Sequence, residues 1–312
     1  CAHSMNTFEQ LLERDGPVVL DGGFATQLES MGHNIDGDLW SAKLLASNPR
    51  AIVDAHIAYL EAGAEIIVSA SYQASRAGFM SHGMNAEEAD RLIVSAVTLA
   101  LEAREKFLSE NPAAPSPLIA ASVGPWGATV HDGSEYTGQY DIADDDLGAF
   151  HAERLRLLDS AGADLLAVET IPNFREAQIL CDLLDDTSTP AWVSFACRDG
   201  RNLSDGSRVW AAAGLFADHA NVPALGINCT APAHITSLIR EVAAAAPDKK
   251  IVVYPNSGET YHSRDNRWSG KACDLDSDFD VAGWWAAGAK LIGGCCRTSP
   301  EDIAAIRKRL LR

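Results

Sequence analysis

The sequence is short of basic residues and contains no long apolar run. Its 312 residues include 25 Lys and Arg against 43 Asp and Glu, which gives a formal net charge of −18. Such a charge repels phosphate backbones and anionic lipids, and no apolar run approaches the roughly 18 residues that a membrane-spanning helix needs. Nucleic acid and membrane are therefore poor partners for this chain, whereas a cationic small molecule is compatible with its charge.

Three common site motifs are also missing. No Gly-x-Gly-x-x-Gly follows a strand-like segment, residues 283–290 lack the Gly-Lys-Ser/Thr of a phosphate loop, and there is no His-Glu-x-x-His. A nucleotide enzyme or a zincin metalloprotease is thus unsupported. The N-terminus has no charged region followed by an apolar stretch, so we expect a cytoplasmic protein.

The cysteines indicate metal or catalytic chemistry. Residues 1–4 precede Met5 and are expected to be an expression remnant, so Cys1 is excluded and six cysteines remain in residues 5–312. In a cytoplasmic chain, scattered cysteines that include an adjacent pair are more typical of metal binding or catalysis than of disulfides.

Short β-branched runs alternate eight times with longer helical stretches, which predicts parallel strands joined by helices. The expected strands are 18–20, 65–70, 118–123, 164–170, 191–197, 224–229, 250–254 and 290–294, and the clearest helices are 49–62, 86–109, 144–161, 174–185, 234–246 and 300–311. The count of eight favours an α/β fold with one domain, a (β/α)8 TIM barrel over residues 5–312, against a doubly wound open sheet.

Local signals support several of these boundaries. Asn48-Pro49 and Ser299-Pro300 place a capping side chain and a proline where a helix begins. An Ala-Gly-Ala motif precedes three strands, around Gly63, Gly162 and Gly288, where glycine suits the end of a helix.

Three cysteines are predicted to converge at the carboxyl ends of the strands, where barrels carry their sites. Cys229 ends the sixth expected strand, and Cys295 and Cys296 end the eighth. Three thiolates suit zinc and leave its fourth position open. Adjacent strand residues point to opposite faces, so both can bind one ion only where the strand ends, and we expect Gly293-Gly294 to supply the backbone freedom. Cys181, Cys197 and Cys273 are interpreted as core fillers.

Polar residues follow other strands at the same edge. Asp21-Gly22-Gly23, Ser71-Tyr72 and Asn256-Ser257-Gly258 follow three strands, and Glu169 closes a fourth. Glu169 ends an apolar run, and a buried carboxylate is costly unless it meets a cation. That cation is either a substrate ammonium or a structural arginine.

Eight segments carry motifs that belong together: Asp21-Gly-Gly-Phe-Ala-Thr, Ser71-Tyr-Gln-Ala, Ser122-Val-Gly-Pro-Trp-Gly-Ala, Asp132-Gly-Ser-Glu-Tyr-Thr-Gly, Val168-Glu-Thr-Ile-Pro, Gly226-Ile-Asn-Cys, Tyr254-Pro-Asn-Ser-Gly-Glu and Gly293-Gly-Cys-Cys-Arg. Together they strongly resemble the homocysteine S-methyltransferase family over nearly the whole chain. The two cysteine motifs are the most specific of the eight.

The resemblance implies a zinc-dependent enzyme that methylates homocysteine to methionine. It implies that Zn²⁺ is held by the three cysteines named above, Cys229, Cys295 and Cys296. It further implies that Glu169 binds the homocysteine amino group, that the Asp21-Gly22 turn helps to hold the amino acid, and that Tyr72 lies near the open metal position. Asn228 is included among the expected substrate-binding residues.

The methyl donor is expected to be a sulfonium. The short, single-barrel members that this chain resembles use S-methylmethionine or S-adenosylmethionine, and we expect S-methylmethionine. The long connection 124–143 carries Trp126, Glu135 and Tyr136, whose aromatic faces and carboxylate suit a sulfonium cation. The alternative is a surface loop whose aromatic side chains pack inward.

Other functions remain open from the sequence. The acceptor could instead be selenocysteine or another small thiol, because its chalcogen would occupy the same position. A non-catalytic zinc-binding or redox-sensing barrel is an alternative of another class. A third alternative is a structural zinc with the site elsewhere, although structural zinc usually has four protein ligands.

Overall fold

The chain forms a barrel of eight parallel strands. The computed structural model describes residues 7–35, 42–130, 132–262, 267–269, 273 and 278–311, so residues 1–4 lie outside the described residues. Every strand expected from the sequence is present within two residues at either end. The strands are β1 Val18–Val19, β2 Ile66–Val68, β3 Leu118–Val123, β4 Leu165–Ile171, β5 Ala191–Phe195, β6 Ala224–Asn228, β7 Lys250–Tyr254 and β8 Ala289–Ile292.

Strand pairing closes the sheet on itself. Consecutive strands from β2 to β8 are paired, and β1 pairs with β8 through Val18 and Leu291. A parallel bridge joins Leu20 to Ile66, and the Glu65 N–H donates to the Val19 carbonyl oxygen at 2.8 Å, which joins β1 to β2. The barrel prediction is therefore confirmed.

The six clearest helices predicted from the sequence are also confirmed within two residues. They are α4 Pro49–Glu61, α6 Ala86–Glu110, α8 Asp144–Asp159, α9 Phe174–Leu184, α11 Pro232–Ala245 and α13 Pro300–Leu310. In the described part of the chain, none of the helices is long and apolar enough to cross a membrane.

Seven shorter helices were not predicted. They have four to seven residues each, too few for a helical period to stand out. They are α1 Thr7–Glu13, α2 Phe24–Ser30, α3 Ala42–Ser47, α5 Arg76–Ser81, α7 Ser134–Thr137, α10 Val209–Leu215 and α12 Val281–Ala286. A 3-10 turn covers Trp126–Thr129, and an antiparallel hairpin pairs Thr260–His262 with Arg267–Ser269 after β7.

The predicted helix boundaries follow from their caps. The Asn48 side chain accepts from the Ala51 N–H, and Ser299 forms a reciprocal capping box with Asp302. The three glycines of the Ala-Gly-Ala motifs all have positive φ, between 88° and 112°, as a left-handed helix end requires.

Helix α1 closes the amino-terminal end of the barrel. Its Phe8 and Leu12 are buried among the inward-facing strand residues, and the Phe8 ring lies 6.3 Å from the ring of Trp192. The Lys290 ammonium on β8 donates to the carbonyl oxygens of Arg14 and Gly16, which fixes the end of this helix. Within the described residues, helix α1 therefore covers the amino-terminal end of the barrel, opposite the carboxyl ends of the strands.

Candidate active site

A cavity of about 130 Å³ lies at the carboxyl ends of the strands. Its walls come from the loops that follow β1, β2, β3, β6 and β8, and from residues near the ends of β2, β4 and β7. The described residues that line it are Asp21, Gly22, Gly23, Phe24, Ala25, Thr26, Val68, Ser69, Ala70, Tyr72, Gln73, Glu135, Tyr136, Glu169, Thr170, Cys229, Tyr254, Gly294, Cys295 and Cys296. Most of the site residues predicted from the sequence are brought together here.

The three predicted cysteines converge in this cavity. The Sγ atoms of Cys229 and Cys296 are 3.6 Å apart, those of Cys295 and Cys296 are 4.0 Å apart, and all three lie within 4.8 Å of one another. Thiolates bound tetrahedrally to one zinc at ~2.3 Å lie ~3.8 Å apart, so the trio fits a single ion of this size. No other group of three potential ligands is found among the described residues.

Backbone conformation turns these cysteines toward one point. Cys229 directly follows β6 and has a φ of 47°, in the left-handed region that non-glycine residues seldom adopt. Its N–H donates to the Tyr254 carbonyl oxygen at 3.1 Å, and the Cys295 N–H donates to the Pro255 carbonyl oxygen at 2.8 Å. Hydrogen bonds to Tyr254 and Pro255, at the carboxyl end of β7, therefore fix the main chain that carries Cys229 and Cys295.

The role expected for Gly293 and Gly294 was wrong. Neither glycine has positive φ, so conformational freedom is not what the chain uses. A Cβ on Gly293 would lie 2.6 Å from the Leu20 Cβ, and one on Gly294 would lie 2.3 Å from the Thr298 Oγ1. These glycines instead allow β8 and its loop to approach the end of β1 closely.

The cysteine thiols affect one another's ionisation. Hydrogen bonds with Cys229 and then with Cys295 lower the pKa of Cys296 well below its usual value. The close contact of the three sulfur atoms therefore favours one thiolate among them, the form that binds metal.

One wall of the cavity carries two buried carboxylates, Asp21 and Glu169. The Val68 N–H donates to Asp21 Oδ2 at 2.7 Å, and the hydroxyls of Ser122 and Tyr254 donate to Glu169 at 2.5 and 3.0 Å. Burial raises the pKa of Glu169 to about 7 and raises that of Asp21 well above its usual value. No arginine or lysine of the described chain pairs with either group, which disfavours the structural arginine and leaves a ligand cation as the missing partner.

Asn228 lies behind this wall and is not among the lining residues. Its side-chain amide donates to Thr170 Oγ1 at 2.7 Å and accepts from the Thr170 N–H at 2.7 Å and from the Ser194 hydroxyl at 2.9 Å. Thr170 has a φ of 63°, at an irregularity in the pairing of β4 with β5. Asn228 thus supports the strained strand end that presents Glu169.

A second wall of the cavity is aromatic. Tyr72 and Tyr136 line it, and the pKa of each is raised by burial and then by the nearby Cys229. Glu135 lies beside them, and its Oε2 atom has no hydrogen-bond partner among the described residues. Burial raises the pKa of Glu135 to about 7.

Trp126 is not brought to this wall. Its ring packs edge-on against Tyr140 with the centroids 5.2 Å apart, and its main-chain N–H donates to the buried Glu176 carboxylate. Of the three residues expected at the donor site, only Glu135 and Tyr136 line the cavity. Trp126, half-buried against Tyr140, is closer to the alternative interpretation, in which the aromatic side chains of a surface loop pack inward.

Two residues in direct contact with the carboxylate wall were missed from the sequence, Ser122 and Tyr254. Each interrupts an otherwise apolar strand at an inward-facing position, which is the signal that could have identified them. Tyr254 also accepts a hydrogen bond from the Trp192 indole at 3.0 Å. The hydrogen-bonded side chains of Trp192 and Tyr254 thus connect the interior of the barrel to Glu169 in the cavity.

Comparison with known proteins agrees with this geometry. A family model described as homocysteine S-methyltransferase matches residues 18–310. The chain is 45% identical over 306 residues to a homocysteine S-methyltransferase of Bacillus subtilis, with 97% of each protein covered. It is also 45% identical over 309 residues to one of Escherichia coli, with 97% and 98% covered.

A solved structure shares the fold. The metallated form of the homocysteine methyltransferase MmuM from Escherichia coli superposes with a TM-score of 0.87 at 43% identity. The match covers 97% of this chain and 100% of that one. Relatives in sequence and in structure therefore carry the same activity in their names.

Proposed function

Because the chain belongs to the homocysteine S-methyltransferase family, we propose that it transfers a methyl group from a sulfonium donor to homocysteine in a zinc-dependent reaction. The observation that carries the proposal is the cavity in which three convergent cysteines face two buried, unpaired carboxylates. The cysteines suit a metal-held thiol, and the carboxylates suit the ammonium of an amino acid. Homocysteine has both groups on one short chain.

Zinc fits the donor set best. Thiolates are soft ligands that select zinc over magnesium or calcium, and Cys229, Cys295 and Cys296 leave one tetrahedral position for a substrate sulfur. When bound, zinc keeps that sulfur deprotonated near neutral pH while three anionic ligands preserve its nucleophilicity. The metallated form of the Escherichia coli enzyme supports a metal at this place.

The carboxylate wall orients the acceptor. Asp21 and Glu169 line the cavity and pair with no lysine or arginine of the described residues. An ammonium placed between them pairs with the ionised Glu169, while Asp21, whose pKa is raised well above its usual value by burial, stays protonated. The Ser122 and Tyr254 hydroxyls fix the Glu169 carboxylate from behind. A fixed ammonium and a fixed sulfur hold the thiolate in one direction, which lowers the entropic part of the barrier.

The donor is best assigned to the aromatic wall. None of the described lining residues is a lysine or arginine, while Glu135, Tyr72 and Tyr136 offer a carboxylate and two aromatic rings to a cation. The cavity volume of about 130 Å³ is small beside the ~300–1,000 Å³ of pockets for drug-sized ligands. This volume is small for either donor beside homocysteine, and we propose S-methylmethionine because S-adenosylmethionine adds an adenosine group.

The reaction needs little more from the protein than alignment. The acceptor thiolate attacks the donor methyl carbon as the carbon–sulfonium bond breaks, and the leaving sulfur departs as a neutral thioether. No general acid is required because the leaving group is already activated by its positive charge. Homocysteine becomes methionine, and S-methylmethionine yields a second methionine.

A reducing compartment fits this site. The three cysteines are free and lie close enough to form disulfides in an oxidising environment, which would remove the metal ligands. We therefore infer a cytoplasmic location, which fractionation of the native cell followed by immunodetection would test.

Zinc content and methionine formation test the proposal together. We expect about one zinc per chain and turnover of homocysteine with S-methylmethionine, and Cys295→Ser should lose both. Cys181→Ser, at a half-buried cysteine outside the cavity, is the matched control and should retain both. Zinc binding without methionine from either sulfonium donor would contradict the proposed reaction, and turnover of selenocysteine at higher kcat/KM would reassign the acceptor.

A further inference from the structure

Arg154 is a fully buried arginine with no ion-pair partner among the described residues. It lies in α8, and its guanidinium is stacked over the Phe150 ring at 5.1 Å. Burial lowers the pKa of Arg154 to about 10, so the group is still charged at neutral pH. The buried Glu176 raises the pKa of Arg154 without forming an ion pair with it, and the direct contacts of the guanidinium show what the fold gains from this buried charge.

Its donors bind three main-chain carbonyl oxygens. Nη1 donates to Gly124 at 2.8 Å, and Nη2 donates to Ser71 at 3.1 Å and to Tyr72 at 2.9 Å. Ser71 and Tyr72 follow β2, and Gly124 follows β3. The planar guanidinium thus connects the two loops directly behind the aromatic wall of the cavity.

Gly124 holds the same tyrosine from another side. A Cβ on Gly124 would lie 2.5 Å from the Tyr72 carbonyl oxygen and 2.7 Å from the Tyr72 ring. The ring therefore packs directly on the glycine backbone while Arg154 fixes the main chain behind it. Both contacts set the place of Tyr72 in the wall that lies beside Cys229 and Glu135.

We propose that Arg154 is a positioning residue for the methyl donor, which acts by fixing Tyr72 in the aromatic wall. This inference rests on the proposed function, in which that wall receives the sulfonium. Arg154 makes no direct hydrogen bond to Asp21 or Glu169 and reaches Glu169 only through Ser71 and Ser122, so we expect its replacement to affect the donor more than homocysteine. Lysine cannot replace arginine here, because a single ammonium cannot present the two nitrogens of a planar fork to carbonyls on two loops.

The first experiment compares Arg154→Lys with Arg156→Lys, a control at an exposed position of the same helix. At saturating homocysteine, we expect Arg154→Lys to lower kcat/KM for S-methylmethionine at least tenfold. Zinc content and the calorimetric Kd for homocysteine should stay within twofold, and Arg156→Lys should match the native protein in every measurement. An unchanged kcat/KM in folded Arg154→Lys would overturn the inference, whereas an inactive native protein would overturn the proposed function.

A double-mutant cycle separates positioning from general stability. In a Tyr72→Ala background, the further change Arg154→Lys should alter kcat/KM for the donor less than twofold, since the group that it positions is gone. Full additivity of the two effects would show that Arg154 acts elsewhere.

If Arg154→Lys does not fold, Gly124→Ala decides, because it displaces the Tyr72 ring without a change of charge. Loss of donor kcat/KM in that variant supports the inference, and native kcat/KM contradicts it.

Discussion

The Tyr254 hydroxyl donates a hydrogen bond to Glu169 Oε2 at 3.0 Å and so links the centre of the barrel to the substrate cavity. Behind it, the Trp192 indole donates to the same hydroxyl, and the Trp192 ring packs on Phe8 from the helix that closes the opposite end. A continuous column of buried aromatic residues therefore supports the carboxylate that faces the substrate. The following predictions concern this column, its surroundings and the chemistry at its end.

Amino-acid affinity should fall as the pH drops through about 7. Burial raises the pKa of Glu169 to about 7, and a protonated carboxyl group cannot pair with an ammonium. Below this pH the proton must be lost on binding, which weakens affinity by up to about tenfold per pH unit.

L-Methionine is the suitable probe, because it carries the ammonium but releases no thiol proton. Calorimetric Kd values between pH 5.5 and 8 provide the measurement. Glu169→Gln should bind weakly with a shallower pH profile, while Glu61→Gln, at an exposed position, should behave as native. A flat native profile would contradict this role for Glu169.

Gly293→Ala should loosen the site from the side of β8. The new Cβ would lie 2.7 Å from the Asp21 carbonyl oxygen and 2.6 Å from the Leu20 Cβ, neither of which is the end of a flexible side chain. Such overpacking costs about 1–3 kcal/mol and moves the Asp21 loop away from the cysteines. The urea concentration at the unfolding midpoint and the metal content should both decrease. The control is Gly214→Ala in α10, where a Cβ meets nothing within 4 Å, and this variant should be as stable as the native protein or more so, by up to about 1 kcal/mol.

Phe8→Ala should destabilise the chain without altering the metal ligands. Phe8 is fully buried against the barrel core, and truncation of a buried phenylalanine typically costs about 3–5 kcal/mol. Thr7→Ala changes an exposed residue of the same helix and should cost far less. The unfolding midpoint in urea measures the difference. An equal midpoint for the two variants would show that α1 does not contribute to the stability of the barrel.

His56 should make stability depend on pH. Both of its ring nitrogens are buried with no hydrogen-bond partner in the described part of the chain, and burial lowers the pKa of His56 to about 3. Between this value and the unfolded value of about 6.5, the unfolded chain binds the extra proton, so stability falls as the pH drops below about 6.5. The loss is at most about 1.4 kcal/mol per pH unit. His56→Phe should remove one proton from the slope measured by urea unfolding at pH 5 to 7. His82→Gln, at an exposed histidine, is the matched control.

The sequence predicted the parts of the fold that depend on local pattern. The apolar runs such as Leu118–Val123 were long enough to identify strands, and the asparagine and serine caps identified the starts of α4 and α13. Cys229, Cys295 and Cys296 could be grouped because strand order alone places their ends together. Convergence in the barrel therefore followed from topology, without knowledge of any side-chain contact.

Features that depend on contacts between distant segments could not be predicted. Trp126 and Glu135 lie in one connection, yet only Glu135 lines the cavity, because Trp126 is held by Tyr140 and Glu176. Arg154 appears in the sequence as one more charged residue of an amphipathic helix, and its three carbonyl partners come from loops about 30 and 80 residues away. The close approach of Gly293 to β1 likewise follows from closure of the barrel.

The closed lower end has a kinetic consequence. Since α1 fills the lower end, both substrates reach the cavity from the carboxyl ends of the strands, where Asp21 and Glu169 would hold the amino acid and Glu135 the donor. We therefore expect an ordered sequence in which homocysteine enters first, the donor follows, the demethylated donor leaves, and the newly made methionine departs last. A donor molecule that binds before homocysteine then blocks its entry. High donor concentrations should therefore inhibit the enzyme and lower the rate of turnover.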